Sequence, residues 1–258
     1  MGVPDPAGFK DHFSGRAAGY AAYRPRYPAA LFAWLADQSP AREMAWDCAT
    51  GSGQAAGELA GRFSRVVATD ASEAQIGRAV AAPGVEYRVA RAEASGLAPR
   101  SADLVTVAQA LHWLDLPRFY AEVRRVARPG AILAVWCYTA LRIDPGIDEL
   151  VQEFYDGTVG PYWPPERTHV DQGYRSLPFP FPELTVPEFQ MVSEWTLADL
   201  SGYLRTWSAV IRYEAEHGTD PVAPVHAGLA RRWGDSATVR QVVWPLSFRV
   251  GQIDGSPA

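Results

Sequence analysis

The sequence predicts an α/β domain built on a doubly wound parallel sheet, and three observations carry that prediction. A short apolar run, Met44 to Trp46, ends in Asp47 and opens into the small-residue turn Cys48-Ala49-Thr50-Gly51-Ser52-Gly53-Gln54. A helix-like segment follows, and then a second apolar run, Val66 to Thr69, again closed by an acid, Asp70. Further on, Ala102 to Ala108 and Ala131 to Trp136 are apolar almost without alternation, the pattern of parallel strands covered on both faces. A strand, glycine loop, helix and strand in this order hold a nucleoside ligand over the carboxyl ends of parallel strands. The glycines allow close backbone approach, and the acid closing the second strand suits a ribose diol.

The remaining elements follow in chain order. The stretch Tyr20 to Pro28 reads as the end of an amphipathic segment, with Pro25 and Pro28 pulling it into an extended turn. Val85 to Ala90 alternates like a strand and leads into Arg91-Ala92-Glu93-Ala94. The strand at 102–108 ends in Gln109-Ala110-Leu111-His112-Trp113. Pro117 to Ala127 has helical spacing at Phe119, Val123 and Val126, with Pro129-Gly130 as its stop signal. Leu141 to Phe154 predicts a helix. Two Pro-rich stretches, 160–167 and 177–182, then interrupt all periodicity. Their interleaved aromatics need something to pack against, which predicts an ordered cap rather than a disordered linker. Thr185 to Trp195 predicts an edge-region strand, Leu197 to Glu216 one helix, and Val239 to Val250 a last strand, with Pro245 at an edge or bulge.

The loop's spacing narrows the ligand. A dinucleotide loop needs G-x-G-x-x-G so that helix amides face a pyrophosphate. Here Ala49, Gly51 and Gly53 alternate, and Asp47 precedes them by two. A carboxylate there would repel a pyrophosphate. The spacing resembles motif I of the class I S-adenosylmethionine-dependent methyltransferases, D-x-G-x-G-x-G, with Ala49 replacing the first glycine. The loop after 85–90, the segment Gln109 to Trp113 and the block Glu122 to Gly130 are similar to that family in the same order. The resemblance implies a Rossmann-like, seven-strand, mostly parallel sheet with the last strand antiparallel, and S-adenosyl-L-methionine as cofactor. It implies that Asp47, Ala49, Gly51 and Gly53 form the loop and that Asp70 and Ala71 meet the ribose. Ala92 and Glu93 are placed beside the adenine, and Gln109 under the methionine end. The leading segment resembles small-molecule methyltransferases related to trans-aconitate methyltransferase, implying that Tyr20 and Arg24 cover the cofactor. Taken alone, those two side chains read equally well as surface residues.

The chain is read as one methyltransferase-like domain. Residues 1–35 would be the covering segment, 36–138 the cofactor-binding core, 139–185 the cap and 186–251 the closing strands and helices. A formal charge of −5 argues against a nucleic-acid partner. No apolar run approaches the ~20 residues that a membrane helix needs. Met1 to Gly8 lacks the cationic and apolar regions of a secretory leader, and two cysteines build no disulfide framework. A cytoplasmic location is therefore expected. Cys48 and Cys137 read as small apolar fillers. No metal-ligand spacing is present, and the composition says nothing of oligomeric state.

Methyl transfer from a sulfonium is an in-line displacement. A carboxylate acceptor needs no base, whereas a hydroxyl, thiol or amine does. His112, at the end of the fourth strand, is the candidate base or substrate ligand. As a base it would place a step in the rate near its ordinary pKa of ~6.5. As a packed residue it would simply fix the loop beside Trp113. Tyr162, Trp163, Arg167, Tyr174, Trp207 and Arg212 offer apolar walls and cationic contacts suited to a small organic acid. The expected activity is methylation of such a carboxylate. The alternatives are another acceptor atom with His112 as base or ligand, or a cofactor-binding protein without catalysis. A nicotinamide-dependent oxidoreductase fits the loop spacing less well.

Overall fold

The computed structural model describes residue 23 and residues 25–253. Its centre is β1 (Met44–Cys48), every residue of which is buried. β1 pairs in parallel with both β2 (Arg65–Asp70) and β4 (Ala102–Ala108). β3 (Val85–Val89) adds in parallel to β2, and β5 (Ala127–Tyr138) to β4. β7 (Arg240–Gln252) is antiparallel to β5, and β6 (Gln190–Trp195) is antiparallel to β7. The sheet order is β3-β2-β1-β4-β5-β7-β6. The chain thus moves outward from β1 to β3 and then crosses back to β4. This reversal opens a crevice at the carboxyl ends of β1 and β4.

Helices cover both faces. α1 (Ala29–Gln38) packs Leu31, Phe32, Leu35 and Ala36 onto one face, next to α2 (Gln54–Ala60). α4 (Leu116–Val126), capped by Asp115 and opened by Pro117, buries Phe119, Val123 and Val126 on the other. The short α3 (Glu73–Ile76) is capped by Ser72. At the far end of β4, buried Asp103 accepts from the Glu43 and Met44 amides and pairs with Arg128, locking the starts of β1, β4 and β5 together.

Beyond β5 the order is α5 (Pro145–Glu153), a π turn at 154–158, a 3₁₀ turn at 160–162 and α6 (Arg167–Asp171). The single helix expected over 197–216 is two, α7 (Leu197–Arg205) and α8 (Ser208–His217). They break where Trp207 turns extended, with ψ 133°, and enters an aromatic cluster with Phe154, Tyr155, Trp163 and Tyr203. α1 and α9 (Val222–Trp233) have no counterpart among the sequence-based expectations. Pro224 in α9 sits in the first turn, where the missing N–H has no helical acceptor to lose. The expected edge strand starts late, at Gln190. Pro245 lies where β7 hands its pairing over, from β6 up to Pro245 to β5 from Leu246 onward.

Among the described residues no helix is long and apolar enough to cross a membrane, and no group of three or more His, Cys, Asp or Glu side chains is arranged to hold a metal. Cys48 and Cys137 are buried free thiols. Tyr20 and Arg24 lie outside the described residues.

Candidate active site

A cavity of about 360 Å³ lies at the carboxyl ends of β1 to β4, within the size range of small-molecule sites. Ala49, Thr50, Gly51 and Ser52 form one wall, and Asp70, Ala71, Ser72 and Gln75 a second. Ala90, Arg91, Ala92 and Glu93 form a third, while Ala108, Gln109, Ala110, His112, Trp113 and Leu114 form the floor. Tyr27 and Glu166 close it from the N-terminal and cap sides.

The glycine loop has the geometry that its spacing requires. Gly51 and Gly53 have φ of 56° and 84°, and Ala49 has φ 53°. Alanine at the first motif position therefore occupies the left-handed region that glycine prefers. A Cβ built on Gly51 meets nothing within 4 Å, so the loop backbone faces open space. Gly53 does not border the cavity. It starts α2, and a side chain there would collide with the Tyr87 hydroxyl.

Asp47 is also a support rather than a wall. It is 1% exposed and accepts from Thr50 Oγ1 at 2.5 Å and Thr106 Oγ1 at 2.7 Å, which ties the loop to β4. Burial pushes its carboxyl up to about 6, against these hydrogen bonds. A raised carboxylate pKa gives stability that is complete below the ordinary carboxylate range and lost as pH rises through about 6. We expect this group alone to cost the ligand-free protein up to roughly 3 kcal/mol between pH 4 and pH 7.5. In urea unfolding at both pH values, Asp47→Asn should lose that part of the pH dependence. An unchanged pH dependence would place the charge elsewhere.

Asp70 closes β2 and binds the backbone on both sides of the cavity mouth. Oδ2 accepts from the Gly51 amide and Oδ1 from the Ser72 amide, each at 2.9 Å. Glu93 accepts from the Asp115 amide at 3.1 Å. The loop carrying Ala92 and Glu93 is held against α4 by the Ser95 amide, which donates to Glu122 at 2.8 Å. Gln109, which borders the cavity, has φ 57°, and its side-chain amide is taken up by Tyr138 of β5 through both of its polar atoms.

His112 borders the floor just past β4, and its Nδ1 lies 3.1 Å from the Tyr174 hydroxyl. Burial, together with the positive charge of Arg167 and the nearby His169, lowers its pKa to about 3. The imidazole is therefore neutral at physiological pH, and the rate step near 6.5 anticipated from its ordinary value does not belong to it.

Tyr162, Trp163, Arg167, Tyr174, Trp207 and Arg212, anticipated as acceptor contacts, are not among the residues bordering the cavity. Arg167 stacks 4.8 Å over Trp163 and donates to Tyr155 and Asp171. Trp163 packs on Trp207, and Arg212 donates to the Tyr162 carbonyl. Tyr174 is 0% exposed behind His112. Several cavity residues were not anticipated. Tyr27 and Glu166 lie in the stretches 20–28 and 160–167 that the sequence singles out, but neither carries a signal that marks it as a site residue.

The observed donor set fits an adenosyl cofactor. Small side chains leave the loop backbone accessible, acids stand at the ends of β2 and β3, and the volume is that of a single small ligand. The methyltransferase domain family matches residues 46–135, the stretch from β1 to β5. A Dictyostelium discoideum protein described as a methyltransferase is 32% identical over 92% of this chain and 93% of its own length. A Mycobacterium tuberculosis protein described as an uncharacterized methyltransferase is 36% identical over 48% of this chain and 51% of its own. A solved structure from Anaeromyxobacter dehalogenans, described as a type II methyltransferase, is 49% identical. It covers 91% of this chain and 100% of its own, with a TM-score of 0.86. A relative similar over nearly its whole length, joined to a glycine loop, closing acid and switch-point cavity, shows that this chain belongs to the class I S-adenosylmethionine-dependent methyltransferases.

Proposed function

We propose that the enzyme methylates the carboxylate of a small organic acid. Ala49, Gly51, Asp70, Ala71, Ala92, Glu93 and Gln109 would hold the cofactor, with Asp47 and Gly53 shaping the loop behind it. S-adenosylmethionine, when bound, supplies a methyl carbon whose bond to the sulfonium sulfur breaks with the electron pair left on sulfur. The protein's part is to hold the acceptor oxygen in line and to keep water out.

The observation that carries the carboxylate reading is the state of His112. A histidine with a pKa near 3 is a poor proton acceptor for a hydroxyl or an amine. Part of that lowering comes from Arg167, whose positive charge acts on the floor from behind the wall. The same field favours an anion beside His112. The likeness of the leading segment to trans-aconitate methyltransferase relatives supports the same choice. A second reading rests on Glu166, an acidic side chain at the cavity's cap side, which would suit a hydroxyl or amine acceptor and take its proton.

Transfer of labelled methyl to panels of carboxylic acids, alcohols, thiols and amines tests this, since a methyl ester is cleaved by mild base. His112→Gln should keep most of the activity, and the wild-type rate should stay flat from about pH 6.5 to 9, above the pH at which Asp47 titrates. A loss on the order of 10²–10⁴-fold in His112→Gln, with cofactor affinity unchanged, would reject the carboxylate reading.

A further inference from the structure

Tyr174 is fully buried, yet its backbone has φ 64°, a conformation that is costly for a bulky residue and marks sites where position matters. It follows Gly173, which has φ 60° and is packed so closely on Ser247 that a side chain there would collide. The Tyr174 amide donates to the His169 carbonyl at 2.8 Å, and Arg249 of β7 reaches the Tyr174 carbonyl. Two left-handed residues in succession thus aim the phenol at the back of His112. Its hydroxyl lies 3.1 Å from Nδ1, with the rings 5.8 Å apart.

We propose that Tyr174 is a positioning residue that donates its hydroxyl proton to His112 Nδ1, holding the imidazole proton on Nε2 so that His112 presents an N–H donor to the acceptor's oxygen.

The argument is one of hydrogen-bond accounting. Burial keeps the phenol protonated, well above its ordinary pKa, so its O–H needs an acceptor. The Leu111 backbone amide approaches the same oxygen as a donor and cannot serve. Among the described contacts the His112 ring nitrogen is the acceptor available, and a buried O–H left unpaired is penalised. Nδ1 therefore carries a lone pair and Nε2 carries the hydrogen. Nδ1 is the nitrogen that faces Tyr174, which does not border the cavity, and the proposal seats the acceptor at the opposite ring nitrogen, Nε2. A donor at that place steadies one oxygen of a carboxylate while the other attacks. This function rests on the proposed seat of the acceptor beside His112, but the tautomer itself does not.

Nitrogen-15 NMR of the ligand-free protein, labelled at histidine, separates the two claims because protonated and bare ring nitrogens resonate far apart. The expected result is a proton on Nε2 of His112 in the wild type. Tyr174→Phe should produce a mixture of tautomers and a loss of roughly tenfold in kcat/KM. His112→Gln carries an amide N–H near the Nε2 position and should retain activity, while His112→Asn should not. Adding Tyr174→Phe to His112→Gln should cost little more, whereas a purely structural tyrosine would cost the same in both backgrounds. A wild-type proton on Nδ1, or a tautomer unmoved by Tyr174→Phe, overturns the inference whatever the acceptor proves to be. Failure of every carboxylic acid to accept methyl would instead reject the carboxylate reading and leave the tautomer result intact.

Discussion

Gly51→Val is expected to abolish binding of S-adenosylmethionine and S-adenosylhomocysteine while leaving the sheet folded. Gly51 borders the cavity with φ 56°, and the space where its side chain would project is empty of protein atoms. A valine there meets two penalties. Its branched Cβ is strained in the left-handed region by about 1–2 kcal/mol, and its methyl groups enter the space a ligand must fill. The first penalty lowers stability modestly, and only the second removes binding. Circular dichroism and calorimetry separate them. A folded variant with normal affinity would show that the loop does not face the cofactor.

The second large effect is expected at Asp70. Its carboxylate accepts from the Gly51 and Ser72 amides, so it both shapes the cavity mouth and stands at the proposed ribose position. Asp70→Ala deprives both amides of their acceptor and removes a charge-assisted ligand contact, which together should weaken cofactor affinity by at least tenfold. Asp70→Asn, which keeps an acceptor oxygen, should fall between. Near-normal affinity for the alanine variant in calorimetry would place the ribose elsewhere.

The cofactor half of the molecule was legible because its signals are local. The alternation of Ala49, Gly51 and Gly53 is a backbone requirement written into a five-residue stretch, and all three adopt positive φ. The strands at 102–108 and 131–136 are buried on both faces, which their largely apolar, non-alternating runs declared. Roles within the loop were less legible. Asp47 and Gly53 share the motif with Gly51 but serve it from behind, and spacing alone does not separate a wall from its support.

The cap was legible in composition only. Arginines among tyrosines and tryptophans describe a carboxylate pocket and a self-packed aromatic cluster equally well. Arg167, stacked on Trp163 and held by Tyr155 and Asp171, belongs to the cluster. The break at Trp207 was hidden because Leu200, Leu204 and Ile211 keep helical spacing across it. The depressed basicity of His112 depends on burial and on Arg167, distant in sequence. No local pattern encodes it.

The order of the strands has a consequence for how the protein reaches its working state. The cavity is drawn from the ends of four strands, and β1 supplies its glycine loop while needing partners on both sides. Its β1–β4 seam joins residues some sixty positions apart, including the Thr106 to Asp47 contact that steadies the loop. Closing so long a span is slow and entropically costly compared with pairing neighbours in sequence. A chain with only β1 to β3 assembled has the glycine loop but neither its brace nor the floor that carries His112. Ligand recognition therefore waits for β4 to join the sheet, and bound cofactor draws the folding equilibrium toward states in which the β1–β4 seam has closed.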